Sequence, residues 1–249
     1  MVDLARGEED RSVPDVMKQI TVAGGGLAGL ALALALGRRG VPVRVQEAGQ
    51  YPRHRVCGEF ISGVSTETLE VLGLTDLVAD ARRHESLAWI EGGRTLHRDR
   101  LPMPALGISR WELDDRMQQR VVDLGGVVQT GVRARGEPGE GRVWAAGRRP
   151  NPRSRWIGLK AHLRGLPMTA DLELHLGSNG YAGLCGIEDD WMNVCGLFRI
   201  DRSLAAERDN MLAAYLEAGG NSGLAREVRA AEVRDGSLCA VAGFEFGRQ

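Results

Sequence analysis

Residues 19–29 read Gln19-Ile20-Thr21-Val22-Ala23-Gly24-Gly25-Gly26-Leu27-Ala28-Gly29, and this stretch decides the fold. The first five residues are apolar and rich in β-branched side chains, as suits a strand buried on both faces. The glycines follow at once. Leu27–Arg38 is then built from Ala and Leu, the strongest helix formers. Gly40 predicts the helix stop, because glycine takes positive φ freely. Val41-Pro42-Val43-Arg44-Val45 predicts a second strand, with its proline tolerable near the strand start. Strand, helix and strand at this spacing form a βαβ unit, which almost always crosses over right-handedly between parallel strands.

In that setting Gly24-Gly25-Gly26-Leu27-Ala28-Gly29 fits the G-x-G-x-x-G pattern of a dinucleotide-binding turn. Gly24 permits the tight turn, Gly26 lets the backbone approach a pyrophosphate, and Gly29 lets the helix pack on the strand. The helix start, from Gly25 through Ala28, offers unpaired N–H groups and partial positive charge to phosphates. Glu47, at the end of the second strand, stands where an acid would accept ribose hydroxyls. That acid favours FAD or NAD over a cofactor with a 2′-phosphate. A glycine turn that binds nothing is the alternative.

Composition narrows the rest. The 249 residues carry 32 Lys+Arg against 33 Asp+Glu, a net charge of −1 at pH 7, and Lys18 and Lys160 are the only lysines. Such a balance predicts no general attraction to nucleic acid or to anionic membrane. The 34 glycines, about twice the usual share, have no Gly-X-Y period and predict many turns and close backbone approaches. Cys57, Cys185, Cys195 and Cys239 form no Cys-x-x-Cys and no metal-ligand spacing, which fits reduced thiols; a Cys185–Cys195 bridge across a hairpin is the alternative. No charge falls between Lys18 and Arg38, a stretch long enough to cross a bilayer. Gly24, Gly25 and Gly26 interrupt it, each costing a helix about 1 kcal/mol relative to Ala. The expectation is therefore no membrane span and a cytoplasmic location. Residues 1–17, polar and acidic, read as a disordered leader rather than a signal peptide.

Ser65–Leu72 and Arg110–Leu124 read as helices, and Val127–Thr130 and Arg142–Ala146 as strands. From Trp156 the texture changes. Trp156–Leu163, Leu172–Leu176, Tyr181–Gly186 and Met192–Phe198 alternate apolar with polar or small residues, and Asn179-Gly180 is a strong hairpin signal. These predict an antiparallel sheet, followed by helices over Leu204–Leu216 and Ser222–Val228. The domain expectation is a dinucleotide-binding unit over 18–150 that takes in about 222–249 as well, with an antiparallel unit over 151–221.

Tyr51-Pro52-Arg53-His54-Arg55-Val56-Cys57-Gly58-Glu59-Phe60-Ile61-Ser62, taken with the βαβ unit, resembles the geranylgeranyl reductase and aromatic hydroxylase-like flavoproteins of the p-hydroxybenzoate hydroxylase fold. The resemblance implies an α/β architecture, α+β overall: a Rossmann-like FAD-binding βαβ domain with an inserted antiparallel substrate sheet. It places Arg55 near the flavin. Gly107-Ile108-Ser109-Arg110-Trp111-Glu112-Leu113-Asp114 is similar to the family's helix start, which gives Arg110 to FAD. Val143–Arg149 is similar to the later segment that approaches the cofactor. The cofactor set is then Gly24, Gly25, Gly26, Ala28, Gly29, Glu47, Arg55 and Arg110.

By this resemblance the chain is an oxidoreductase using FAD, with NAD(P)H as a candidate reductant. Its substrate would be a small apolar or aromatic molecule, and its reaction C=C reduction or hydroxylation. No catalytic residue or metal site is nominated, because the flavin carries such chemistry. Ala146 stands where hydroxylases carry Asp, and the family's later Gly-Asp motif is absent. The chain therefore reads as shortened at its C-terminus, and a non-catalytic dinucleotide-binding remnant is the rival expectation. Oligomeric state is not legible.

The remaining residues admit two readings each. Cys57 is a reactive thiol or a small residue beside Gly58. Glu59 is a proton donor or a helix-start acid. His162 and His175 read as structural sheet histidines, with a place in a substrate cavity as the alternative, and Trp156, Trp191 and Tyr181 as core or pocket walls. The basic run Arg148, Arg149, Arg153 and Arg155 reads as a solvated loop, with a hold on a phosphorylated substrate or NADPH as the alternative.

Overall fold

The structure is a computed structural model that describes residues 17–136, 139–148, 151–204 and 210–244. The leader, apart from Met17, and the C-terminal Phe246-Gly247-Arg248-Gln249 lie outside the described residues. In chain order, β1 (Ile20–Ala23), α1 (Leu27–Gly37) and β2 (Val43–Gln46) open the fold. Then come β3 (Phe60–Ile61), α2 (Thr66–Leu72), the strands β4 (Arg82–Glu91) and β5 (Arg94–Gly107), and α3 (Arg110–Asp123). After β6 (Val127–Gln129) and β7 (Arg142–Trp144) follow β8 (Trp156–Arg164), β9 (Leu172–Gly177), β10 (Gly180–Gly186) and β11 (Met192–Arg199). The chain closes with α4 (Met211–Ala218), α5 (Ser222–Ala230), β12 (Glu232–Val233) and β13 (Cys239–Ala242).

The βαβ expectation holds. β1 pairs in parallel with β2, Ile20 opposite Val43, and the four-stranded sheet runs β6-β2-β1-β7. Val22, Val43 and Val45 pack against Leu30 and Leu34 of α1 and Met117 and Val121 of α3. Helices α2 and α3 are capped by serine: Ser65 accepts the Thr68 N–H, and Ser109 accepts the Glu112 N–H.

The second sheet has nine strands in the order β12-β8-β11-β10-β9-β4-β5-β3, with β13 also paired to β8. It is antiparallel except where β4 meets β9. One face is covered by α4 and α5, through Leu212, Leu216, Leu224 and Val228 against Leu159, Ala161 and Leu163. The other face turns toward residues 53–60, the segment that leads from the parallel sheet into β3.

This sheet draws on more of the chain than residues 151–221. The β4–β5 ribbon, residues 82–107, lies within the segment expected in the FAD-binding unit, yet it pairs into the antiparallel sheet. Residues 222–242, expected to return to the FAD-binding unit, pack on the sheet as α5 and pair with β8 as β12 and β13. The ribbon escapes sequence reading because much of it faces water on both sides. Arg94 to Arg100 are all exposed, and His84, Ala88 and Ile90 are its main buried positions before the β5 end, so hydrophobic alternation is weak. No helix among the described residues is long and apolar enough to cross a membrane.

Two contacts predict how the sheet unit responds to change. Tyr215 is 1% exposed, and its hydroxyl accepts the Asp201 N–H at 2.9 Å and donates to the Asp201 carbonyl at 3.0 Å. Tyr215→Phe should cost about 1–3 kcal/mol in urea unfolding, since it strands both backbone groups. Burial pushes the Glu173 carboxyl up, but hydrogen bonds from His175 and from the Thr169 amide and hydroxyl outweigh this and bring it to about 2. Its contribution is present above the unfolded carboxyl value near 4.5 and is lost as pH falls toward 2. Glu173→Gln should flatten the loss of stability across that acid window, measured by denaturant unfolding at stepped pH.

Candidate functional site

The turn glycines have separate reasons for being glycine. Gly24 has φ +113, and a Cβ there would sit 2.4 Å from the Ala145 carbonyl oxygen. A Cβ on Gly29 would meet the Gly24 carbonyl at 1.9 Å, which is how helix α1 packs so closely on the turn. At Gly25 the obstacle is the Tyr51 hydroxyl, which donates to the Gly25 carbonyl. Gly26 differs: the nearest atom to its Cβ position is Arg110 Nη2 at 3.9 Å. The fold itself does not require glycine there. Gly26 is also the N-cap of α1, with no side-chain cap and no acid in the first turn. The helix therefore starts with bare N–H groups under an arginine, the arrangement that receives a phosphate.

Around this turn lies a cleft of about 680 Å³, lined among others by Gly24, Gly26, Ala28, Glu47, Arg55 and Arg110. Glu47, 5% exposed, accepts N–H bonds from Gly25 at 2.9 Å and Gly49 at 2.8 Å and pairs with Arg53 at 2.8 Å. Burial raises its carboxyl, but the two amides with Arg53 and Arg55 bring it below the ordinary value. It is therefore ionised, and a carboxylate has lone pairs beyond those three partners for sugar hydroxyls. Asp114, without exposed surface, organises the arginines: Arg110 grips it through Nε at 2.7 Å and Nη2 at 2.8 Å, and Arg55 through Nε at 2.9 Å. Burial alone would lower the Arg110 guanidinium, and Asp114 raises it. Sequence reading quoted Asp114 without giving it a role; its i,i+4 spacing from Arg110 was the available signal. Arg133 and Arg148 also line the cleft. Bare amides, a ribose-facing acid and several arginines suit a dinucleotide.

A second, apolar pocket of about 430 Å³ opens on the other side of residues 56–60. Val56, Cys57 and Phe60 form one wall, and Gly183, Cys185 and Cys195 lie on the sheet face opposite. Leu172, Leu174 and Tyr181 continue it toward β9. The sheet register explains the lining. Gly183 pairs with Cys195 and Leu174, and Cys195 pairs with Lys160, so one row runs from a cation through small residues to leucine.

At the cation end sits a cluster that sequence reading left apart. Glu59, with φ 52, receives Lys160 Nζ at 3.0 Å and pairs with His162 Nε2 at 2.5 Å, all three side chains without exposed surface. Burial raises the Glu59 carboxyl, and His162 and Lys160 pull it below its ordinary value. His54 stands 3.3 Å from Lys160, with its ring tilted against Trp111; burial, Lys160 and His162 lower it to about 4, so it is neutral.

The FAD binding domain family matches residues 17–146, just over half of the sequence. The chain belongs to this family. Menaquinone reductase of Mycobacterium tuberculosis is 31% identical over 124 residues, 48% of this chain and 30% of that protein. Menaquinone reductase of Mycolicibacterium smegmatis is 29% identical over 118 residues, 46% of this chain and 29% of that protein. The match thus spans under a third of these relatives. Among solved structures, a flavoprotein/dehydrogenase from Cytophaga hutchinsonii aligns with TM-score 0.69 at 14% identity, over 90% of this chain and 66% of that one. The p-nitrophenol 4-monooxygenase PnpA of Pseudomonas putida aligns with TM-score 0.67 at 16% identity, over 90% and 68%. These likenesses show the fold: an FAD-binding α/β unit joined to an antiparallel sheet.

Within this FAD-binding fold, all eight expected cofactor residues fall at the glycine turn and its cleft. Glu59 caps a helix, though a distant one: its carboxylate accepts the Arg110 N–H at 2.9 Å. His162 meets Glu59, and His175 meets Glu173 at 2.9 Å. Tyr181 lines the apolar pocket, and Trp191 lies under Arg164 at 4.2 Å. Trp156 faces Arg199 at 5.3 Å. Of the basic run, Arg148, Arg153 and Arg155 are exposed, Arg148 with its guanidinium over Phe244 at 3.8 Å, and Arg149 lies outside the described residues. All four cysteines are free, so the alternative Cys185–Cys195 bridge is not formed; the two are diagonal rather than opposite on their strands.

The glycines give a paired prediction. Gly29→Ala should destabilise by about 1–3 kcal/mol, the range of forced overpacking. Gly26→Ser should leave thermal unfolding unchanged or slightly raised, because serine can cap the exposed N–H groups of α1.

Proposed function

We propose that the protein is an FAD-dependent oxidoreductase acting on a small apolar or aromatic molecule. The observation that carries this reading is Gly26, a glycine that no close packing contact requires, at an uncapped helix start beneath Arg110. In this reading Gly24, Gly25, Gly26, Ala28 and Gly29 shape the turn that takes the pyrophosphate. Glu47 accepts the ribose hydroxyls, and Arg55 and Arg110, fixed by Asp114, offset the phosphate charge. FAD, when bound, supplies the hydride or oxygen chemistry. The chain's part is to bind, orient and exclude water. The division of labour follows the two sheets, with the parallel unit holding the cofactor and the antiparallel sheet the substrate.

The apolar pocket supports the substrate class, since its small-residue floor and leucine end suit a flat apolar ring or chain. Among the two chemistries we favour reduction of a carbon–carbon double bond with NAD(P)H as electron source. The relatives that support this are the menaquinone reductases, which match through the cofactor half of the fold. The free thiols fit a reducing, cytoplasmic setting.

Purified protein incubated with FAD and desalted should keep near-stoichiometric flavin absorbance, and Gly26→Ser should keep little or none. Folded wild-type protein that stays colourless would overturn the reading. With flavin bound, NADPH oxidation that consumes oxygen and hydroxylates an aromatic probe would favour the monooxygenase alternative instead.

A further inference from the structure

A continuous line of polar contacts runs from the antiparallel sheet to the glycine turn. Lys160 and His162 of β8 hold the Glu59 carboxylate, which accepts the Arg110 N–H at 2.9 Å. The Arg110 side chain grips Asp114 at 2.7 and 2.8 Å, and Asp114 accepts Arg55 at 2.9 Å. Arg55 stands 3.7 Å from Glu47, and Glu47 accepts the Gly25 N–H at 2.9 Å. Every carboxylate in this line is buried.

We propose that Glu59 is a positioning residue that couples the substrate sheet to the cofactor cleft. Its carboxylate, fixed by Lys160 and His162, sets where α3 begins, and so where Arg110 and Arg55 stand over the turn. Three features support this role over that of a simple clamp. Glu59 keeps a left-handed backbone, φ 52, which a residue with a side chain seldom adopts and which aims the carboxylate at both partners at once. Three ionisable side chains are fully withdrawn from water there, although well-packed apolar residues commonly stabilise a fold as well or better. The flanking Cys57 and Gly58 carbonyls are also tied to the sheet, by Asn193 Nδ2 at 3.0 and 2.8 Å, so a shift of β8 or β11 reaches this segment directly.

The cofactor arm of the test rests on the FAD reading, and hydrogen exchange gives a second arm that does not. In cofactor-free Glu59→Gln, folded by circular dichroism, amide exchange should speed up at Arg110 and also at Gly25, whose N–H the Glu47 carboxylate holds, while α4 and α5 stay as in wild type. The FAD dissociation constant should rise about tenfold, within the range of coupled sites. Should Glu59→Gln fail to fold, the double variant Glu59→Gln/Lys160→Met, which leaves no unpaired lysine, takes its place with the same expectation. Faster exchange confined to Arg110, with the turn unchanged, would overturn the coupling and leave a local helix cap. Wild-type protein that takes up no FAD would remove the functional reading, and the exchange pattern would still decide the coupling.

Discussion

A buried carboxylate facing two arginines is the contact on which the cofactor side of this molecule depends. Asp114 sits one helical turn into α3 with no exposed surface, and it takes three charge-assisted hydrogen bonds from Arg110 and Arg55. Two guanidinium groups so close would repel each other without it. They would then turn to water, where Coulomb attraction to a phosphate is weak. With Asp114 in place they are held over a helix start that has no cap of its own. The desolvation cost of burying the acid is offset by bonds of the strongest class available to side chains. The same acid thus converts two flexible cations into a fixed positive surface.

Residues 53–60 separate two environments that could not be built in one cavity. Arg53 and Arg55 belong to the polar cleft, while Val56, Cys57 and Phe60 belong to the apolar pocket. A change of character within so few residues requires an immobile backbone, because a small rotation would expose arginine to the apolar side. The segment is pinned accordingly: Asn193 holds two of its carbonyls, β3 pairs Phe60 with Gly107, and the Glu59 carboxylate is buried among donors.

Local chemistry was legible in the sequence, and long-range pairing was not. The turn at 24–29 could be read because the identity of each residue answers to neighbours a few positions away, and the Asn179-Gly180 hairpin for the same reason. The β4–β5 ribbon was missed because its outer residues are charged and its buried ones few, which erases the alternation that marks a strand. Glu59 and its partners Lys160 and His162 lie about a hundred residues apart in sequence. A lysine within an apolar strand carries no sign of which acid will meet it. Arg55 and Arg110 were assigned by resemblance, whereas the acid that unites them emerged from geometry.

The alternation of β8 shows how folding and site construction share one constraint. Leu159, Ala161 and Leu163 enter the core beneath α4 and α5, while Gly158, Lys160 and His162 face the 53–60 segment. A slip of one residue in register would exchange these sets. It would drive Lys160 into a leucine core without a carboxylate and place Leu159 against Glu59. Both errors bury an unpaired charge, which costs far more than a misplaced methyl group. The ion pair therefore contributes less as an attraction than as a penalty on wrong pairings. The register that satisfies it is also the one that lines the apolar pocket with Gly183, Cys185 and Cys195. Polar contacts too costly to misplace thus specify the shape of an apolar cavity that leucines alone would leave underdetermined.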